Sequence, residues 1–438
     1  MELLVTEHII SFHKSKKDIN PDHAATVGIS PDGTLRFRSE DIITPMGKSK
    51  QNTLISILPN SDERVVSFSE VPHLFSDIGH MNVILTNACN LSCSYCYEQH
   101  KKDYGRFTEE SLLNAYNWLL NNSNAKNKRF QFFGGEPLIH KDLIINFLEN
   151  NKEYLLKNYL VNGQAISMIT NGILLTKDFC KEYFEYDFTY LMISLDTLEI
   201  ELDHRELKQE QIDHIINTVA GLPRHAKDRI FFRCTLAQEH APYFKDYMEK
   251  LYSIGIRNII VHPLVHDSSV GFISWDTNLW QNLHDDIVHL IDKYADFEIS
   301  FSEGVGQKVE NNCLVGSDMI AIDGSGDFSG CYFFTNMKEA EAVKPTILGN
   351  IFDDRVHIDR YNTFQKLYNE MHTTQEQCMS CDYRNYCYQC PAGNVSTGTP
   401  LFRPDDMCQK IVKLYLDLQD DVAKKQTDRA YKKVSMGL

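Results

Sequence analysis

Three cysteines stand close together in the run Cys89-Asn-Leu-Ser-Cys93-Ser-Tyr-Cys96, separated by three and then two residues. Thiolates at these spacings can ligate three irons of a [4Fe–4S] cube, and no fourth cysteine follows nearby. Iron–sulfur clusters ordinarily take cysteine at every iron, so a vacant iron is a place where a substrate or cofactor can bind. Zinc is the alternative, since Cys-x-x-Cys pairs are common zinc ligands. A zinc site usually closes its tetrahedron with a second pair, which here would have to come from far along the chain. An aromatic residue, Tyr95, immediately precedes the last cysteine.

A second field of cysteines lies toward the C-terminus. It consists of Cys313, Cys331, Cys378-Met-Ser-Cys381, Cys387, Cys390 and Cys408. Taken alone, Cys378, Cys381, Cys387 and Cys390 have the look of a zinc ribbon. The two fields account for all of the 12 cysteines except Cys180 and Cys234. Those two fall in an expected helix and an expected strand and read as buried free thiols.

Composition narrows the class. The 438 residues suffice for two or three domains with a sizeable core. A hydrophobic content of 42% and an aromatic content of 11% are those of a globular chain. The net charge of −16, with no long basic run, argues against tracking a nucleic-acid backbone. No apolar run reaches the roughly eighteen residues of a membrane span. Met1–Ser11 carry Glu2, Glu7 and His8 rather than the basic-then-apolar order of a signal peptide. The expected setting is therefore the cytoplasm, where cysteines serve as metal or cluster ligands rather than disulfides.

The elements that must position these residues follow from the hydrophobic pattern. Residues 1–78 form a region of their own, with strand-like runs Ala25–Ile29 and Leu54–Leu58 between turn signals. This region is either a packing extension or a small peptide-binding module. From Asn82 strands and helices alternate. The strands are expected at Asn82–Leu85, Phe130–Phe133, Ala165–Ile169, Leu191–Leu195, Ile230–Thr235 and Asn258–Val261. Helices are expected at Thr108–Leu120 (with Thr108 as N-cap), Lys141–Asn150, Lys177–Tyr186, Gln209–Ala220, Tyr243–Ile254 and Asn278–Tyr294. Six such units imply an α/β fold, a parallel sheet closed partly into a (β/α)6 TIM-like barrel. Chemistry in such a barrel sits at the C-terminal strand ends, and the three-cysteine loop follows the first strand. The domains are then 1–78, a core at 79–299, a cysteine-rich unit at 300–412 with little regular periodicity, and a C-terminal helix and tail at 413–438. The last helix is expected over Gln409–Lys425.

The cysteine loop resembles the cluster motif of the radical S-adenosylmethionine (radical SAM) enzymes. The later strand ends match the same family in order, across roughly Asn82 to Pro263. Gly134-Gly135-Glu136-Pro137 after the second strand is similar to its GGEP motif, whose glycines allow close backbone approach to a ligand. The resemblance implies that Glu136 and the adjacent backbone receive the ammonium of S-adenosylmethionine. Thr170-Asn171 matches the family's polar turn, and Ser194-Leu195-Asp196 its Ser-Ile-Asp, implicated in ribose contacts. The match weakens beyond Asp196, where Thr197-Leu198 and Asp203-His204-Arg205 replace Gly-Pro and His-Asp-x-x-Arg. Arg233 resembles an arginine that pairs with the cofactor's carboxylate.

The C-terminal cysteines resemble a SPASM domain, which implies two auxiliary [4Fe–4S] clusters beside the catalytic one. Cys313, Cys331 and Cys390 would hold the first, and Cys378, Cys381, Cys387 and Cys408 the second. Two residues rather than the usual three separate Cys387 from Cys390. By resemblance, reductive cleavage of S-adenosylmethionine yields a 5′-deoxyadenosyl radical that abstracts a hydrogen from the substrate. Proteins of this kind mostly modify peptides. The implied activity is a maturase cross-linking side chains of a ribosomally made precursor peptide (carbon–carbon or thioether) in a net two-electron oxidation. Flavodoxin or ferredoxin would donate electrons. An anaerobic sulfatase maturase, forming formylglycine, is the alternative. Such enzymes usually carry aspartate directly after the cysteine matching Cys331, where this chain has Tyr332. An iron–sulfur scaffold or electron carrier is the non-enzymatic alternative.

Overall fold

The computed structural model describes residues 64–96, 105–263, 276–301, 316, 318–336 and 346–362, together with strands between 2 and 43 and helical residues between 413 and 425. Leu54–Leu58 and six of the expected cluster ligands, Cys313, Cys378, Cys381, Cys387, Cys390 and Cys408, lie outside the described residues. Near the N-terminus, β1 (Glu2–Thr6), β2 (Ile9–His13), β3 (Ala24–Ile29) and β4 (Leu35–Ile43) form an antiparallel sheet in the order β2-β1-β4-β3. A two-residue strand, β5 (Val65–Val66), follows.

The six expected core strands are all present: β6 (His80–Thr86), β7 (Arg129–Gly134), β8 (Ala165–Thr170), β9 (Thr189–Ser194), β10 (Ile230–Leu236) and β11 (Asn258–Pro263). They pair in sequence order and all in parallel. The helices that return the chain between them are α1 (Glu109–Asn122), α2 (Lys141–Asn162), α3 (Lys177–Tyr183), α4 (Gln209–Ala220) with the short α5 (Arg224–Lys227), and α6 (Phe244–Ser253). After β11 comes α7 (Thr277–Lys293). Local chemistry explains their bounds. Thr108 caps α1 by accepting the Ser111 amide at 3.2 Å, and Glu109 and Glu110 face the positive end of the helix dipole. The α2 helix runs a further three turns beyond the expected Asn150 and stops where Gly163 turns left-handed at φ 64°.

Two further parallel strands extend the sheet at its edges. β12 (Glu298–Phe301) pairs with β11, and β13 (Met319–Asp323) pairs with β6. From β13 the sheet continues antiparallel through β14 (Asp327–Ser329), β15 (Ile347–Asn350) and β16 (Arg355–His357) to β5. The short helix α8 (Tyr332–Asn336) follows β14. Regular structure beyond residue 300 is thus more extensive than the hydrophobic pattern suggests, because these strands are only three to five residues long. The open, twelve-stranded sheet is a partial barrel with an antiparallel extension.

Along β10 the residues Ile230, Phe232, Cys234 and Leu236 are buried against the helices, while Arg233 points the other way into the barrel. The interior carries a polar layer. Gln131 Nε2 donates to Asn82 Oδ1 at 2.8 Å, and Ser167 Oγ donates to Gln131 Oε1 at 3.1 Å. An axial cavity of about 190 Å³ runs past His80, Asn82, Phe133, Arg233, Met319 and Tyr332.

Candidate functional site

The loop after β6 carries Cys89, Cys93 and Cys96, all half-buried. It is held from two sides. On the first side, the Gly135 amide donates to the Thr86 carbonyl at 2.7 Å and the Glu136 amide to the Ala88 carbonyl at 2.9 Å. That approach explains the glycine pair. A Cβ on Gly134 would lie 2.2 Å from the Thr86 carbonyl oxygen, and one on Gly135 would lie 2.2 Å from that of Ala88. The close backbone approach expected toward a ligand is therefore made to the base of the cysteine loop itself.

Glu136 has no exposed surface. Its Oε1 accepts the Leu138 amide at 2.9 Å and the Thr170 hydroxyl at 2.7 Å, and its Oε2 accepts the Asn171 amide at 2.7 Å. Burial pushes the carboxyl up despite these donors. Pro137 begins the turn that supplies the Leu138 amide. The Asn171 side chain then returns to the cysteine loop, donating to Asn90 Oδ1 at 2.7 Å and lying 3.8 Å from Cys89 Sγ.

On the second side, the Tyr95 hydroxyl donates to Asp196 Oδ2 at 2.5 Å, and the Thr235 amide donates to Asp196 Oδ1 at 2.8 Å. Asp196 is buried, and both of its oxygens are engaged in fastening the cysteine loop and β10 to the end of β9. Ser194 contributes its carbonyl, which accepts Arg205 Nη1. Burial raises the Cys93 thiol, and the charge of Arg205 offsets part of that rise. Arg205 lies in the Asp203-His204-Arg205 stretch and was not among the residues expected at the site. Its one signal in the sequence is a charged triplet in the loop after a core strand. Cys180 and Cys234 are buried in α3 and β10 as expected, and burial pushes the Cys180 thiol up to about 12. Cys331 is buried two residues beyond β14.

The geometry thus gathers Cys89, Cys93, Cys96, Tyr95, Gly134, Gly135, Glu136, Thr170, Asn171 and Asp196 at the C-terminal ends of adjacent parallel strands. Residues 83–240 match the model of the Radical SAM superfamily. This stretch is a radical SAM domain. An uncharacterized protein of Methanocaldococcus jannaschii is 30% identical over 182 residues, which cover 41% of this chain and 60% of that protein. The GTP 3′,8-cyclase of Campylobacter jejuni is 32% identical over 149 residues, 33% of this chain and 42% of the enzyme. The chain therefore spans about 60% or less of these curated relatives. Among solved structures, anSMEcpe with bound AdoMet and Kp18Cys peptide superposes with a TM-score of 0.57 at 16% identity, covering 80% of this chain and 99% of that one. Streptococcus suis SuiB bound to precursor peptide SuiA gives 0.55 at 15% identity, covering 78% of each chain. At such identities the likeness is one of fold.

The donor set fits a radical SAM cluster and cofactor. Three soft thiols on one loop suit an iron–sulfur cluster better than a hard cation. Among the described residues no three His, Cys, Asp or Glu side chains are gathered as an ion cage. Arg233 lines the cavity, and its buried Nε has no hydrogen-bond partner among the described residues, which suits a carboxylate.

Proposed function

We propose that this protein is a radical SAM peptide maturase, with Cys89, Cys93 and Cys96 as ligands of the catalytic [4Fe–4S] cluster. The observation that carries the reading is the half-buried three-thiol loop at the end of β6, braced by Glu136 and Asp196 through neighbouring strand ends. When bound, the cluster and S-adenosylmethionine would supply a 5′-deoxyadenosyl radical for hydrogen abstraction. The chain's own residues position that chemistry. Glu136 locks the Thr170-Asn171 turn against the cysteine loop, and Arg233 offers a buried guanidinium to the cofactor's carboxylate. Gly134, Gly135 and Pro137 bring the second strand end within hydrogen-bond reach of the first, while Tyr95, Ser194 and Asp196 close the opposite wall.

The peptide substrate is supported by the two solved folds that carry bound peptides, and the cross-link by Tyr332. This residue packs on Phe133 at 4.8 Å between ring centroids, inside the barrel cavity, where a sulfatase maturase would usually carry a proton-accepting aspartate. Two auxiliary clusters on Cys313, Cys331, Cys378, Cys381, Cys387, Cys390 and Cys408, a flavodoxin or ferredoxin donor and a cytoplasmic setting complete the proposal. Among the described residues no helix is long and apolar enough to cross a membrane.

The test is anaerobic co-expression with a short peptide encoded beside the gene, followed by intact mass and fragmentation. Loss of two hydrogens, with fragments missing between two residues, is expected. An unchanged peptide with 5′-deoxyadenosine still formed would move the proposal to another substrate, and no 5′-deoxyadenosine would favour the scaffold or electron carrier.

A further inference from the structure

The axial cavity of about 190 Å³ is walled by two kinds of side chain. Its polar groups are largely paired with one another or with backbone. Gln131 Nε2 donates to Asn82 Oδ1, and Gln131 Oε1 accepts Ser167 Oγ. Asn82 Nδ2 donates to Met319 Sδ at 3.1 Å, and Ser300 Oγ donates to the Ile259 carbonyl at 3.2 Å. Among the described lining residues, the buried nitrogens left without a hydrogen-bond partner are His80 Nε2 and Arg233 Nε. The charged groups on the described wall are Arg129 and Arg233, both cations. The rest is apolar: Met192 and Met319, Ile169 and Ile260, and the Phe133–Tyr332 pair with ring centroids 4.8 Å apart.

We propose that this cavity receives an aromatic side chain of the peptide substrate, and that Phe133, Tyr332 and Met192 select for it. The inference rests on the reading of the chain as a radical SAM peptide maturase, with Arg233 engaged by the cofactor's carboxylate. A polar side chain gains little here, because the amides that could meet it already meet each other. Breaking such a pair leaves a buried group unsatisfied. A lysine would add a positive charge to a wall that already holds two, in a space where charges are poorly screened. An aromatic ring suits every part of the wall. It packs against Phe133 and Tyr332 in the offset or edge-to-face arrangements that aromatic pairs prefer. The thioethers of Met192 and Met319 make favourable contacts with a ring and adapt to its shape. A ring face also attracts a neighbouring guanidinium. An aliphatic side chain would share the burial but none of these contacts.

The experiment measures, by ligand-observed NMR, the binding of four probes to the anaerobically reconstituted full-length protein with S-adenosylmethionine. The probes are the N-acetyl amides of phenylalanine, leucine, lysine and glutamate. The phenylalanine probe is expected to bind about tenfold or more tightly than those of lysine and glutamate, and severalfold more tightly than that of leucine. Ile169→Phe and Ile260→Phe fill the cavity from different strands, and each is expected to abolish that binding. Tyr332→Leu is expected to weaken it severalfold, and carries the test if neither filled variant folds. Equal binding of phenylalanine and leucine, or binding that survives filling of the cavity, would overturn the proposal. Tighter binding of glutamate would assign Arg233 to the substrate and overturn it too, as would binding of no probe at all. A protein that prefers phenylalanine as expected but forms no 5′-deoxyadenosine would refute the maturase reading instead, and the substrate role with it.

Discussion

Glu136 carries three hydrogen bonds on a carboxylate with no exposed surface, so its first task is to hold two strand ends together. Truncating it strands the Thr170 hydroxyl and the Leu138 and Asn171 amides, and an unsatisfied buried polar group costs about 1–3 kcal/mol. Glu136→Ala is therefore expected to lower stability by on the order of 3 kcal/mol, read as a drop in urea midpoint without any cofactor present. An unchanged midpoint would refute this bracing role. His80, at the other end of the barrel, makes a different point. Burial, helped by the charge of Arg129, lowers its pKa to about 3. The unfolded chain, with an ordinary histidine, takes up a proton near pH 6.5 that the folded one refuses, so stability falls as pH drops from about 6.5 toward 3. Between pH 6.5 and 5 this site should cost about 2 kcal/mol. His80→Gln should flatten that part of the pH–stability curve, and equal acid sensitivity in the two proteins would exclude His80 as the source.

At the scale of elements, the six core strands were legible because each is an apolar run that ends in a polar or glycine turn. Cys89, Glu136, Asn171 and Asp196 follow those ends and could be read with them. The links between them could not. Tyr95 and Asp196 are 101 residues apart, and nothing in either local pattern pairs them. Arg205 was equally hidden, since its bond to the Ser194 carbonyl depends on how the loop after β9 folds back. The strands β12 to β16 escaped notice because runs of a few residues carry too little alternation to be read. The glycine pair was legible as a close approach, but not what it approaches. Because a Cβ at Gly135 would meet the Ala88 carbonyl at 2.2 Å, Gly135→Ala must push the cysteine loop off the β7 turn. Its expected signature is selective: iron and sulfide uptake by the 89–96 loop falls severalfold while far-UV circular dichroism is preserved. Full iron loading in this variant would show that the loop tolerates the shift.

For the whole molecule, one sheet ties the cysteine loop to Cys331. Cys89 follows β6, Cys331 follows β14, and β13 joins them by pairing in parallel with β6 and antiparallel with β14. Residues from distant segments also share one aromatic cluster. Phe68 and Trp118 lie 5.0 Å apart between ring centroids, Phe75 and Phe328 5.9 Å, and Phe75 and Tyr361 5.5 Å. The boundary at residue 300 that the cysteine pattern suggests therefore cuts through a continuous sheet and core. A chain ending at residue 300 would leave the edge of β6 without its partner and strip Ile320, Ile322 and Phe328 from the apolar interior. Loss of large buried side chains costs several kcal/mol each, and an unpaired apolar edge strand invites association. Such a truncated protein is expected to be recovered as aggregate, whereas the full chain gives a discrete peak on size exclusion. A soluble truncated form with a cooperative unfolding transition would show that the radical SAM domain folds without the strand that leads to Cys331, and would make the cysteine loop independent of Cys331.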